Sequence, residues 1–277
     1  MLVRRLSILA TISTLLFTPQ AISEQRGMHM GGKHMRGHMD NRLSEGGRLY
    51  DKWWQEYGLK KPAQTHPAYP SKGVNKGAST WRCKECHGWD YRGKEGTYNK
   101  GSHFTGIKGI REYVNTSPNE IMRILKDDNH QYNTVMRDRA LNLLARFVAN
   151  GQVDTTQFID DKTAKAKGDI RIGQHVFADK CVRCHGTDGT DINFKDSKNP
   201  EYIGTVASKN PWEALHKIYN GHPGSSMHHM TMHNSNIRER YKIGLIRSNE
   251  PMPSMRFKLS SEGIKHLLTY MQTLPAK

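Results

Sequence analysis

All four cysteines of the chain fall in two copies of one five-residue motif. The first copy reads CKECH at residues 83–87, and the second reads CVRCH at residues 181–185. Each copy places two thiols three positions apart and a histidine directly after the second thiol. The fold must therefore bring two thiols and an imidazole together at two separate points of the chain.

The motif C-x-x-C-H is the attachment pattern of c-type haem. Two thiols on one helical turn can both reach the vinyl groups of one porphyrin, and the adjacent imidazole then becomes the proximal ligand of the iron. Two motifs that use every cysteine predict two covalently bound haems c. The residues predicted to bind them are Cys83, Cys86 and His87 for the first haem and Cys181, Cys184 and His185 for the second.

Other uses of paired cysteines fit the spacing less well. A zinc ribbon joins its two C-x-x-C units over about 15 to 20 residues, whereas 94 residues lie between Cys86 and Cys181. A thioredoxin-like dithiol or a pair of disulfides leaves the histidine after each cysteine pair unexplained. Haem attachment is therefore the interpretation that we carry forward.

Residues 1–23 have the features of a cleavable signal peptide. Arg4 and Arg5 form a basic start, a 12-residue apolar run follows at residues 6–17, and Ala21 and Ser23 are small residues before a cleavage point. The apolar run is shorter than the roughly 20 residues that a membrane-spanning helix needs. The sequence thus predicts an exported protein, located in the periplasm.

The exported chain is strongly basic. The signal peptide carries two of the 42 Lys and Arg and none of the 26 Asp and Glu, which leaves a formal charge of +14 on the remainder. Nucleic acid is the usual partner of such a charge, but an exported protein rarely meets it. We expect acidic redox proteins as partners instead, and the oligomeric state stays open.

The two halves of the chain repeat one another beyond the cysteines. Residues 117–120 (SPNE) and 210–213 (NPWE) each have an N-cap residue, a proline at the first helical position and a glutamate at N3, which predicts two capping-box helix starts. A longer helix with apolar residues at i, i+3, i+4 and i+7 follows in each half. These residues are Leu141, Leu144, Ala145 and Val148, and Ile264, Leu267, Leu268 and Met271.

Residues 41–277 resemble a tandem of two class I cytochrome c domains. In that family a terminal helix with an aromatic residue crosses an N-terminal helix that leads into the haem motif. Phe147 and Tyr270 are the matching aromatics, and Gly173 and Phe177 precede the second motif. The resemblance implies an all-α fold with two helical domains, each wrapped around a haem.

The predicted domains are residues 41–158 and 169–277, joined by a polar linker at 159–168. The N-terminal helix of the first domain is predicted at residues 44–57. Here the chain departs from the family pattern, because a Pro- and Gly-bearing stretch at residues 58–79 separates this helix from the first motif.

Haems of this family carry a second axial ligand, which is Met or His. In the second half, Met252 stands between two prolines before the last helix and resembles the Met-Pro ligand loop of the family, with Met255 as the alternative. Met252 lies 18 residues before Tyr270, the aromatic of the last helix. Counting 18 residues back from Phe147, the matching aromatic of the first half, leads to position 129, which is next to His130. We predict His130 as the first haem's distal ligand, with Met136 or an open position as alternatives.

Two tracts combine methionine and histidine. One lies in residues 24–40, predicted as a flexible tail, and the other in an insertion at about residues 222–250 of the second domain. Thioether and imidazole groups together suit copper, but the composition alone fits a simple flexible loop equally well. The candidate copper ligands are Met227, His228, His229, Met230, Met232 and His233.

These features predict a periplasmic electron-transfer protein or an electron-transfer subunit of an oxidoreductase. A membrane-associated oxidoreductase is among the expected partners. The alternatives are a haem enzyme and a copper-handling redox protein. A diheme thiosulfate dehydrogenase with a cysteine on its active iron would need a fifth cysteine, which the chain lacks. A peroxidase needs an iron with an open coordination position.

Overall fold

The computed structural model of the protein describes residues 31–224, 252–256 and 258–276, with side chains from residue 42 onward. Within these ranges the chain forms α-helices and short 3₁₀ turns, and no β-strands, which confirms the all-α prediction for this part of the chain. The α-helices are α1 (Gly31–Glu56), α2 (Cys83–His87), α3 (Pro118–Leu125), α4 (Asp138–Asn150), α5 (Ile170–Lys180), α6 (Val182–His185), α7 (Ile203–Lys209), α8 (Pro211–Asn220) and α9 (Ser261–Met271). The 3₁₀ turns are Gly77–Trp81, Arg111–Tyr113, Tyr132–Thr134 and Thr155–Gln157.

The repeated helix starts are confirmed as starts, although only one is capped as predicted. The Asn210 side chain accepts a hydrogen bond from the Glu213 backbone N–H at the first turn of α8. Ser117 occupies the equivalent position before α3, but its side chain makes no capping hydrogen bond. Both helices have proline at the first position, where its fixed φ suits a helix start, so α3 begins there without the side-chain cap.

The first core forms where α1 crosses α4. The two helices come so close at Gly46 that a Cβ on this residue would collide with the Leu143 carbonyl and with Phe147. Tyr50 of α1 packs against Phe147 of α4, with ring centroids 5.5 Å apart. All four apolar positions predicted on α4 are buried in this core.

The second core repeats this arrangement with α5 and α9. A Cβ on Gly173 would collide with the His266 carbonyl, and Phe177 lies against Tyr270 with ring centroids 5.4 Å apart. The four apolar positions predicted on α9 are buried. Each half is thus built on one close helix crossing at a glycine, followed by an aromatic contact.

Helix α1 differs from its prediction at the N-terminal end. It begins at Gly31 instead of residue 44, so the part of the predicted flexible tail from residue 31 to 40 has a helical backbone. Lys, Arg and Met, which occur in this part of the tail, are good helix formers, and no proline interrupts it. The helix is broken at Lys52, whose backbone is extended (φ −157°, ψ 80°).

The segment predicted as a linker is folded against the second half. Ile159 is fully buried in the second core. The Ala166 and Gly168 backbone N–H groups donate to Gln272 and Thr269, at the C-terminal end of the chain. The exposed residues of the segment are 161–163, 165 and 167.

The two halves meet through α1 and α8 in a buried polar contact. The His216 Nε2 donates to the Gly47 carbonyl oxygen (2.9 Å), and its Nδ1 accepts a hydrogen bond from the Tyr91 hydroxyl (2.8 Å). Arg48 donates to the Asn220 carbonyl oxygen (2.9 Å). Because these groups are buried and paired across the contact, separating the halves would leave them unsatisfied.

A buried ion pair lies at the same contact. Asp51 of α1 is 2 % exposed and pairs with Arg82, just before the first motif. Burial raises the pKa of the Asp51 carboxyl, but Arg82, assisted by Lys217 and His216, outweighs burial and holds that pKa well below its usual range.

Among the described residues, no helix combines the length and the apolar character that crossing a membrane would require. The predicted signal peptide, the start of the Met/His tail and nearly all of the Met/His insertion lie outside the described residues.

The glycine at the α5–α9 crossing gives a first prediction. Gly173→Ala should lower the free energy of unfolding by about 1–3 kcal/mol, because the new methyl group forces the helices apart. Gly263→Ala on α9 is the matched control, because the nearest atom to its Cβ would be 3.4 Å away. Urea unfolding of the holoprotein measures both, and equal stability of the two variants would contradict the close crossing.

The buried ion pair gives a second prediction. The folded-state pKa of Asp51 is depressed, so its contribution to stability is present at neutral pH and is lost as the pH falls below about 3.9, the ordinary aspartate pKa. Asp51→Asn should cost about 3 kcal/mol at pH 7 and less at pH 3, because Arg82 loses its partner.

Asp161→Asn serves as the control for this comparison, since Asp161 pairs with Arg92 at the exposed surface. Such a surface pair contributes at most about 1 kcal/mol. Unfolding free energies at pH 7 and pH 3 provide the measurement. A cost of Asp51→Asn that is the same at both pH values would rule out the depressed pKa.

Candidate haem sites

The first cysteine motif forms the short helix α2, directly after the 3₁₀ turn at Gly77–Trp81. Cys83 is buried, Cys86 is half-buried, and none of the four cysteines is paired in a disulfide. Burial raises the pKa of both the Cys83 and the Cys86 thiol to about 12. A redox dithiol depends on a thiolate at neutral pH, so these buried thiols do not fit that role.

A cavity of about 350 Å³ lies beside the first motif. This volume is in the range of small-molecule and cofactor pockets. Helices α1, α3 and α4 contribute most of its apolar wall, and both motif thiols border it. The lining includes Tyr50, Cys83, Cys86, Ile107, Ile110, Ile121, Ile124, Leu125, Leu144 and Val148.

Two imidazole rings face each other in this cavity. The rings of His87 and His130 are nearly parallel (18°), and their centroids are 6.4 Å apart. The Nδ1 of His87 donates to the Lys108 carbonyl oxygen (2.8 Å), and the Nδ1 of His130 lies 3.0 Å from an Asp127 carboxylate oxygen. Each Nδ1 is therefore engaged, which leaves each Nε2 available as a metal ligand.

The separation of the rings fits one metal ion between them. With a metal–nitrogen bond of about 2.0–2.1 Å and about 1.1 Å from the nitrogen to the ring centre, two opposite imidazoles have centroids about 6.3 Å apart. Burial lowers the pKa of His87 to about 4, so this imidazole is neutral and able to bind a metal at physiological pH. The donor set, the spacing and the apolar wall all suit a haem.

Met136, the alternative distal ligand, lies elsewhere. It is buried in the first core and is not among the residues that line the cavity. The structure thus brings His130, and not Met136, opposite His87. The ligand role of His130 itself stays a prediction.

Sequence reasoning missed a third histidine at the cavity. His66 lies in the stretch at residues 58–79 that departs from the family pattern, and it contributes to the cavity wall. It also missed Asp127 and Lys108, the partners of the two facing imidazoles. The only available signal was the extra stretch itself, because partners from distant parts of the chain leave no local pattern.

The second motif follows α5 without a break, since Cys181 ends α5 and precedes α6. Cys181 is buried and Cys184 is half-buried. His185 is buried, and its Nδ1 has no hydrogen-bond partner among the described residues. The indole Nε1 of Trp212 is also buried without a hydrogen-bond partner among the described residues. Such buried polar atoms are costly unless a bound group satisfies them, so this site fits a further ligand.

The two candidate methionines of the second half lie on one short segment that contacts α8. Met255 is buried in the second core, and its backbone N–H donates to the Ile218 carbonyl oxygen (2.9 Å). Met252 is partly buried against the same core, and its carbonyl oxygen accepts from the His222 N–H (2.8 Å). The greater exposure of Met252 is compatible with a ligand at the edge of the core, and the choice between the two stays a prediction.

The candidate copper ligands Met227, His228, His229, Met230, Met232 and His233 lie outside the described residues. Within the residues that the structure does describe, no group of three or more His, Cys, Asp or Glu side chains is arranged to hold a metal ion.

The family model described as cytochrome c matches residues 170–275. No curated protein and no solved structure matches the chain. The matched range includes the whole second motif and helices α5 to α9. The match supports the predicted c-type cytochrome for the second half, since a domain of this kind implies a covalently bound haem c that serves electron transfer.

The facing imidazoles give a third prediction. In the haem-loaded protein, His130→Ala should convert one haem from low spin to high spin, because its iron loses an axial ligand. Met136→Leu, a change of similar volume in the core, should leave the haem signals unchanged. EPR of the oxidised protein distinguishes them, and a spin change in Met136→Leu alone would assign the ligand to Met136.

Proposed function

We propose that the protein is a diheme c-type cytochrome that carries electrons in the periplasm. The observation that carries this proposal is the pair of imidazoles of His87 and His130, 6.4 Å apart in a cavity bordered by two motif thiols. This arrangement supports a haem in the first half, in addition to the haem c of the cytochrome c domain at residues 170–275.

In the first half, Cys83 and Cys86 would attach the haem, and His87 and His130 would be its axial ligands. A bound haem supplies reversible one-electron chemistry at its iron. The chain's own residues bind it, hold both imidazoles in the correct tautomer and exclude water with the apolar wall. The Lys108 carbonyl holds the tautomer of His87, and the Asp127 carboxylate holds that of His130.

In the second half, Cys181 and Cys184 would attach the haem, with His185 and Met252 as axial ligands. The family match and the burial of His185 directly after the second cysteine pair support this assignment. A thioether ligand raises the reduction potential relative to a second imidazole. Electrons would therefore run downhill from the first haem to the second and leave from there to a partner.

We further propose that the partner is an acidic redox protein. A membrane-associated oxidoreductase is one candidate for this partner. The charge of +14 after signal-peptide removal supports this choice. Opposite charges raise the rate of encounter between soluble proteins, and salt screens that attraction. The electron-transfer rate to an acidic partner should then fall as ionic strength rises, which stopped-flow mixing measures.

A haem enzyme is the rival that the first cavity argues against. A peroxidase needs an iron with an open coordination position, whereas two available Nε2 atoms on opposite sides of one iron would fill both axial positions. Binding of peroxide by the oxidised protein, with turnover, would favour the enzyme over the carrier.

Copper binding by the Met/His tracts is a separate proposal that rests on their composition. Its test compares Cu(I) binding by the full protein with binding by a form that lacks both tracts. Equal affinity of the two forms would remove the proposal.

The diheme proposal predicts the haem content of two paired variants. Cys83→Ser with Cys86→Ser should leave one haem per chain, and Cys181→Ser with Cys184→Ser should also leave one, because each motif holds its own haem. Absorbance in alkaline pyridine counts covalent haems per chain, and spectroelectrochemical titration should resolve two potentials in the unaltered protein.

The two paired variants also control for each other. If the first pair of substitutions leaves the haem content unchanged, the first motif holds no haem and the diheme proposal fails. If each variant loses one haem and the lower potential disappears with the first pair, the relay order is supported.

A further inference from the structure

His66 lies at the point where the extra stretch at residues 58–79 meets the first cavity. It is 6 % exposed, and its ring is in edge contact with Trp81, with centroids 4.3 Å apart. Tyr132 approaches it at a centroid distance of 5.7 Å. The ring thus has a single, tightly packed position in the wall of the cavity.

The hydrogen bonds of this ring define its tautomer. The Ala68 backbone N–H donates to His66 Nδ1 (3.2 Å), so Nδ1 carries no proton. The proton of a neutral imidazole is then on Nε2. His66 Nε2 lies 3.0 Å from the His130 carbonyl oxygen and donates to it.

The backbone of His66 is tied in turn to the first cysteine motif. Its N–H donates to the Thr80 hydroxyl oxygen (2.9 Å), and the Thr80 hydroxyl donates to the Gly77 carbonyl oxygen (2.6 Å). Thr80 stands three residues before Cys83. A continuous chain of hydrogen bonds therefore connects the peptide of His130 to the segment that leads into the haem-binding helix.

Apart from the contact with His66, the turn of His130 is held by Asp127, whose side chain accepts hydrogen bonds from the backbone N–H groups of Asn129 (3.0 Å) and His130 (2.8 Å). The His130 side chain is 29 % exposed, and its one side-chain partner, Asp127, is also at the surface. The next residue, Gln131, has a left-handed backbone (φ 52°, ψ 23°), which is unfavourable for a residue other than glycine. A turn of this kind keeps its conformation only where the surroundings hold it.

We propose that His66 is a positioning residue that holds His130 as the distal ligand of the first haem. This inference rests on the proposed function, in which His130 binds the iron. His66 does not touch the metal, and it acts through the carbonyl of His130. The extra stretch at residues 58–79 would then be the part of the fold that keeps both axial positions of the first haem iron filled.

Three substitutions separate the hydrogen bond from the packing. His66→Phe keeps a ring between Trp81 and Tyr132 but removes the donor. His66→Gln places an amide N–H at nearly the reach of Nε2 and so keeps the donor. His175→Phe is the matched control, because His175 is exposed on α5 in the other half.

We expect His66→Phe to raise the affinity of the oxidised first haem for added cyanide roughly five- to tenfold, since cyanide competes with a distal ligand that has lost one buried hydrogen bond. The EPR signal of the first haem should also gain a high-spin fraction. His66→Gln should restore both readouts to within about twofold of the unaltered protein, and His175→Phe should change neither. The signals of the first haem are those that change in His130→Ala.

The possible outcomes separate the ligand role of His130 from the positioning role of His66. A response in His130→Ala with none in His66→Phe would overturn the role of His66 and leave the ligand assignment intact. No response in His130→Ala would overturn the ligand assignment and the role of His66 together. Equal responses in His66→Phe and His66→Gln, at full haem content, would show that ring packing matters and the hydrogen bond does not.

Discussion

The close crossing of α1 and α4 at Gly46 is the contact on which the first half depends. Because the backbones approach without an intervening side chain, Tyr50 can reach across to Phe147. The same two helices provide Tyr50 and Leu144 to the cavity wall. The Tyr50 hydroxyl also donates to the Gly88 carbonyl oxygen (2.6 Å), directly after His87. One helix crossing thus sets the core, the cavity and the position of the first cysteine motif.

The contact between the halves is polar and buried. His216 is fully enclosed between Gly47 and Tyr91, and burial lowers its pKa to about 4, so it stays neutral and hydrogen-bonded. Buried polar groups stabilise a contact only in one arrangement, since any displacement leaves donors or acceptors unpaired. Such a contact holds the two halves, and with them the two cysteine motifs, in one relative position.

Much of the helical framework could be predicted from the sequence, since it depends on local patterns. The apolar periodicities of α4 and α9, the prolines at the starts of α3 and α8, and the glycine and aromatics of α5 and α9 all hold in the structure. The beginning of α1 was missed, because the residues before position 44 have no apolar periodicity that would extend the predicted helix.

The candidate site, too, could be predicted from the sequence only where it depends on local patterns. The cysteine motifs and their adjacent histidines follow from the sequence, because the chemistry of attachment requires these residues at a spacing of one helical turn. The sequence also leads to the neighbourhood of His130 through the repeat. Only the tertiary structure decides that His130 faces His87 while Met136 is in the core, that Lys108 and Asp127 contact the two imidazoles, and that His66 donates to the His130 carbonyl oxygen. These contacts join residues far apart in the chain, and hydrogen bonds of this kind depend on how the backbone closes around the cavity.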